Sequence, residues 1–132
     1  DLPIILDLEA GEEIDFVMAN NTQEVLTGTA TVEKAVYAEA VAAWEYSVEV
    51  VVVNYYPEAT PVTFTAEEAG TYVLTIDEEE TNASIFDYNN FVDVSERTYE
   101  FTLDAGETIT FMVATTNYML TEDTIEFSIA KQ

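Results

Sequence analysis

The chain has 132 residues, 48% of them apolar, enough for one domain with a sizeable core and too apolar to be disordered by composition. Its 27 acidic residues face only Lys34, Arg97 and Lys131, and the net charge of −24 repels phosphate backbones and anionic lipid surfaces, which argues against nucleic acid and membranes as partners. With no cysteine and no histidine, disulfides, thiolate catalysis, Cys-ligated zinc and an imidazole base are excluded as well.

No signal peptide and no apolar run long enough to span a membrane is present, so Asp1 reads as the start of a mature chain or of a cut-out domain. The first predicted strand is Ile4–Leu8, with Ile4, Leu6 and Leu8 on one face. A turn, Glu9-Ala10-Gly11-Glu12, leads to a second strand carrying Ile14, Phe16 and Met18 inward. Asn20-Asn21-Thr22 reads as a loop. Residues 32–43 have two readings. Thr31 as N-cap with Val32, Val36 and Ala40 at helical spacing predicts a short helix, whereas alternation through Val32, Lys34, Val36 and Ala38 predicts a strand.

Trp44–Asn54 is the clearest strand. Trp44, Tyr46, Val48, Val50 and Val52 share one face, and Glu45, Ser47, Glu49, Val51 and Val53 the other. Because Val50–Val53 is apolar on both faces, the pattern predicts a central strand. A connector with two prolines, residues 55–61, follows. Residues 61–76 read as a hairpin, with Gly70 at a turn position that takes a positive φ. Asp77–Asn82 is an acidic loop, Ser84–Tyr88 a short strand and Asn89–Asp93 a loop. Tyr99, Phe101 and Leu103 point inward, as do Ile109, Phe111 and Val113 after a third turn, Asp104-Ala105-Gly106-Glu107. Ile125, Phe127 and Ile129 make the last strand. About nine short strands at this spacing predict an all-β antiparallel sandwich, jelly-roll-like, over residues 1–132 as one domain.

An internal repeat runs at an offset of 95. Leu8-Glu9-Ala10-Gly11-Glu12-x-Ile14-x-Phe16-x-x-Ala19 matches Leu103-Asp104-Ala105-Gly106-Glu107-x-Ile109-x-Phe111-x-x-Ala114. Either two hairpins answer the same physical demand, or the sandwich is pseudo-symmetric.

Phe64-Thr65-Ala66-x-x-Ala69-Gly70-Thr71-Tyr72-x-Leu74, followed by Tyr99-x-Phe101-x-Leu103-x-Ala105-Gly106-Glu107-x-Ile109-x-Phe111 and by Ile125-x-Phe127-x-Ile129, resembles the bacterial pre-peptidase C-terminal type of β-sandwich. It is similar too to related jelly-roll modules of surface proteins and polysaccharide-degrading enzymes of Gram-positive bacteria. The resemblance covers residues 61–131. It implies an extracellular, non-catalytic accessory module of a larger secreted or surface protein, one that binds polysaccharide, in some cases with calcium, or acts as a spacer. Residues 19–60 and the extreme acidity depart from the family pattern.

Sugar binding needs flat aromatic faces to stack on pyranose rings and amides or carboxylates to hold hydroxyls. Tyr55, Tyr56, Tyr88, Asn89, Asn90 and Tyr118 stand in predicted loops where the core does not claim them. Trp44 and Tyr46 share a face at the start of their strand and read either as core or as a binding platform, and Tyr37 can join either set. Calcium needs six to eight oxygens. Asp77, Glu79 and Asn82 in one loop, with Asp87 and Asp93 near another, are the candidate ligands. A solvated acidic loop is the competing reading. Among 27 acids, carboxylate pairs at glycosidase spacing arise by chance, and the chain reads as non-enzymatic. The expected partner is a neutral polysaccharide, with starch-like α-glucan as one class, or else a surface protein.

Overall fold

The computed structural model describes residues 4–19, 23, 25, 27, 29–41, 43–87 and 90–132. Two compact units divide the chain, Asp1–Ala35 and Val36–Gln132.

Among the described residues there is no helix, and all nine strands fall in the second unit. They are β1 (Glu45–Val53), β2 (Tyr56–Pro57), β3 (Thr60–Thr65), β4 (Gly70–Ile76), β5 (Ala83–Phe86), β6 (Phe91–Asp93), β7 (Thr98–Leu103), β8 (Thr108–Thr115) and β9 (Glu122–Lys131). Two antiparallel sheets result, one in the order β2-β1-β9-β4-β7 and one in the order β3-β8-β5-β6. The all-β antiparallel sandwich expected from the sequence is the fold.

Period-2 alternation decides which side chains enter the core. On β1, Tyr46, Val48, Val50 and Val52 are buried, and across the ladder Phe127 faces Tyr46 and Ile125 faces Val48. Tyr72, Leu74 and Ile76 of β4 and Phe101 and Leu103 of β7 complete that sheet's inner face. Val62, Phe64, Ile85, Phe111 and Val113 meet them from the other sheet. Each such side chain contributes about 1.5–3 kcal/mol by leaving water. Edge-on ring pairs lock the centre: Phe64 lies 5.1 Å from Tyr72, and Phe101 5.4 Å from Phe111.

The connection from β3 to β4 is not a hairpin. β3 pairs with β8 and β4 with β7, so residues 66–69 cross from one sheet to the other, and residues 104–107 between β7 and β8 do the same. The two crossings lie side by side, two arches stacked strand on strand. Gly106 takes φ 81 at its turn, in the left-handed region. Gly70 instead opens β4 with φ 159, nearly extended, because the chain changes sheets there rather than reversing within one.

β1 is not central. Among the described residues its second neighbour, β2, pairs with it only at Val52 and Val53, and Val51 and Val53 stand exposed because they point to the outer face of the two-sheet sandwich. Residues 32–41 and 43 form neither the helix nor the strand that their sequence allows. The one ladder contact there is a parallel bridge from Ala38 to Val62, with the Ala38 amide donating to the Pro61 carbonyl.

In the first unit the described residues include no strand, although alternation predicts two. The turn between them is present. The Glu12 amide donates to the Glu9 carbonyl at 3.0 Å, the Glu9 amide to the Glu12 carboxylate at 3.0 Å, and Gly11 has φ 83.

Candidate functional site

The outer face of β1 carries the best candidate for a binding surface. A reversal at Asn54-Tyr55, both at positive φ (50 and 67), returns the chain to β2 and sets Tyr56 directly across from Val53. Directly opposed residues of an antiparallel pair share a face, so Tyr56 and Val53 adjoin. Tyr55 and Tyr56 are 70% and 75% exposed. Val51 lies two residues before Val53 on the same face, with Glu122 opposite it on β9. The patch therefore offers the Tyr56 ring and two valines beside exposed carboxylates, with Tyr55 exposed in the adjoining turn.

Farther along the same face, an open groove of about 490 Å3 runs between residues 36–41 and β1. Tyr37 and Glu39 line one side, and Ser47, Glu49, Thr60 and Thr124 the other. The Thr60 hydroxyl donates to the Glu49 carbonyl at 3.0 Å and ties β3 to β1 at the groove floor. Glu49 precedes Val51 by two residues, so groove and patch are continuous along one strand face. Ring faces, hydroxyls and carboxylates thus stand in a row along this face.

The aromatic candidates separate into two groups. Trp44 packs edge-on against Phe64 and Tyr72, at 5.5 and 5.9 Å, and is half-buried. Tyr46 is buried and stacked on Phe127 at 4.8 Å, and burial raises its phenol pKa above the ordinary value. Both belong to the core, and β1 separates them by about 30 Å from Tyr55 and Tyr56. Tyr118 is exposed in the loop before β9, next to exposed Met119. The Val52 amide donates to the Thr121 carbonyl at 2.9 Å, which holds that loop at the Tyr55–Tyr56 end of β1. Asn90 is carried toward the opposite end, since β5 runs from Ala83 opposite Thr115 to Phe86 opposite Met112. Tyr88 and Asn89 lie outside the described residues. The sequence weighed Tyr37 without settling its place, and it missed Val51 and Val53. Their apolar character read as a strand buried on both faces, whereas they point to the outer face of the sheet, which the other sheet does not cover.

The acidic loops hold themselves together. Asp77 accepts the Glu79 amide at 2.9 Å, and Asp93 accepts the Ser95 amide at 2.7 Å. Asp87 accepts the Asn90 amide at 3.0 Å and the Tyr99 hydroxyl at 3.3 Å. The hydrogen bond from the Ser95 hydroxyl, and then that from its amide, hold the Asp93 carboxyl below its usual pKa. Arg97 enters the 77–80 loop, donating to the Asp77 carbonyl at 2.5 Å and the Glu80 carbonyl at 2.9 Å. A guanidinium thus sits on backbone oxygens of the kind that calcium would take. Asn82 leads into β5, and its carbonyl accepts the Thr116 amide at 2.6 Å. Among the described residues, no three acidic side chains converge on a common point suited to a metal ion.

Compared with protein-family models, with curated proteins and with solved structures, the chain gives no significant match. No helix among the described residues is long and apolar enough to cross a membrane.

Proposed function

We propose that residues 36–132 form a non-catalytic carbohydrate-binding module of an extracellular bacterial protein, holding a neutral polysaccharide along the outer face of β1. The observation that carries this reading is the continuity of Tyr56, Val53 and Val51 with the groove lined by Tyr37 and Glu49, with Tyr55 exposed in the adjoining turn. An exposed row of aromatic and aliphatic side chains rimmed by polar groups marks an interaction surface rather than a core. The acidic surface favours a neutral polymer, such as an α-glucan, over a polyanion. The extracellular setting rests on the resemblance over residues 61–131.

The same exposed Val51 and Val53, on a strand covered only by the two-residue β2, favour one second reading, a spacer or adhesion module that meets a surface protein there. Native gels cast with starch, xylan, β-glucan or mannan, each with and without calcium, separate the two. Retardation in one gel, lost in Tyr56→Ala and Tyr37→Ala, supports the sugar site. Retardation only with calcium adds the cation. Unchanged mobility in all gels moves the assignment to the protein-contact reading.

A further inference from the structure

We infer that residues 1–35 are the closing part of a second sandwich of the same design, and that their apolar face is built to be covered by an upstream copy of the segment equivalent to residues 36–95. This stands apart from the sugar-binding reading.

Three observations carry it. The first is geometric. At an offset of 95, the Glu9–Glu12 turn reproduces the Asp104–Glu107 turn bond for bond. The Glu107 amide donates to the Asp104 carbonyl at 3.0 Å and the Asp104 amide to the Glu107 carboxylate at 3.0 Å, as in the pair from Glu12 to Glu9 and back. Gly11 and Gly106 share φ values of 83 and 81. The two turns therefore match in backbone conformation and in side-chain bonding as well as in sequence.

The second is the apolar pattern around that turn. The same offset lays Ile4, Leu6 and Leu8 on Tyr99, Phe101 and Leu103, and Ile14, Phe16 and Met18 on Ile109, Phe111 and Val113. These are the inward residues of β7 and β8. Their environments are opposite. Phe111 is 1% exposed and Phe16 54%; Val113 is 0% exposed and Met18 78%. The first unit carries core side chains without the core.

The third is the boundary. The unit ends at Ala35, and the offset places Ala35 on Ala130, at the end of β9. The first unit therefore stops where a sandwich of this kind stops, and the next begins. Lys34 departs from the pattern, standing where Ile129 is buried.

What covers such an arch is visible in the second unit: β3 lies on β8 and β4 on β7, with Phe64 and Tyr72 against Phe101. The residues that would cover the first unit's apolar face in the same way are the counterparts of β3 and β4, which lie within the segment equivalent to residues 36–95.

The test joins a second copy of residues 36–95 directly ahead of Asp1 in the full chain and follows amide exchange by mass spectrometry. Exchange over residues 4–19 is expected to slow by more than about 100-fold, toward that of residues 99–114. Phe16→Asp in the extended chain is expected to abolish this gain and leave residues 36–132 protected. Exchange over 4–19 as fast as in the 132-residue chain overturns the inference. So does a 132-residue chain that protects 4–19 by self-association, or one in which Phe16→Asp lowers the melting temperature of residues 36–132.

Discussion

Ala66 and Gly106 are joined backbone to backbone. The Gly106 amide donates to the Ala66 carbonyl at 2.7 Å, and the Ala66 amide returns a bond to the Glu107 carbonyl at 2.9 Å. These bonds seal the two arches together at the point where each leaves one sheet for the other. Ala66 is buried there, so a lost partner would leave a backbone polar group out of reach of water.

Gly106 is the residue that lets the seal form. A Cβ at this position would meet nothing within 4 Å, so Gly106→Ala adds no clash, only the cost of a left-handed backbone. That cost is about 1–2 kcal/mol. The melting temperature of the sandwich is expected to fall accordingly in a calorimetric scan. Gly11→Ala, with the same φ and the same empty surroundings, is expected to leave that transition in place.

Phe111 and Phe16 make the same contrast in the core. Phe111→Ala removes a ring that packs against Phe101 and Tyr99, and is expected to cost about 3–5 kcal/mol. Phe16→Ala, at the repeat-equivalent position, is expected to change the free energy of urea unfolding by less than about 0.5 kcal/mol.

Period-2 alternation made the strands of residues 45–131 legible, because it reports burial on one face directly. It misled over residues 4–18, where the same alternation is present and the described residues form no strand. Alternation records what a segment is built to pack against, not whether that partner is there. The arches look like hairpins in sequence because a turn glycine looks the same whether the chain reverses within a sheet or steps across to the other. Of the candidate site, Tyr55 and Tyr56 were legible from their loop. Trp44 and Tyr46 stood in the sequence as core or platform, and their ring contacts put them in the core. Val51 and Val53 were hidden because alternation cannot say whether a second layer covers the outer face of an apolar strand.

Tyr56 is expected to matter for binding and not for folding. With three quarters of its surface exposed, Tyr56→Ala is expected to leave the unfolding free energy within about 0.5 kcal/mol. Under the proposed function it lowers affinity for the retarding polysaccharide about tenfold, close to 1.4 kcal/mol. Trp44→Ala is expected to show the reverse, a loss of stability with little direct effect on that face, because its ring packs on Phe64 and Tyr72.

Arg97 is the one cation set into the 77–80 loop, and its two bonds to the Asp77 and Glu80 carbonyls are charge-assisted. Arg97→Ala is expected to cost about 1.5–3 kcal/mol, since it removes both bonds and leaves Asp77, Glu78, Glu79 and Glu80 to repel one another. Calcium titrated into the variant and followed by melting temperature checks whether the vacated carbonyls accept a metal. A rise in the variant larger than in the parent chain identifies Arg97 as the loop's built-in counterion.

The charge balance predicts an unusual response to pH. Burial raises the Glu80 pKa, and the nearby Asp123, Glu126 and Asp77 carboxylates add to the rise, against the opposing hydrogen bond from the Glu126 amide. A carboxyl whose folded pKa lies above its unfolded value binds more protons when folded, so its contribution to stability falls as pH rises through that window. Self-repulsion from a net charge of −24 acts in the same direction. Glu68 and Asp93 act in the opposite direction. The hydrogen bond from Lys131 and its charge lower the Glu68 pKa, and the Ser95 bonds lower that of Asp93. Their stabilisation is present above the unfolded values of 4.5 and 3.8 and is lost below them. The melting temperature is therefore expected to rise from about pH 8 to about pH 5 and to fall again below about pH 4. Sodium chloride at about 0.5 M is expected to raise it at pH 8 and to flatten the profile, because the Debye length shrinks to a few ångströms. A melting temperature that declines steadily from pH 8 to pH 5 at low salt would mean that attractive pairs such as Glu68 with Lys131, and not repulsion, govern the stability of the sandwich.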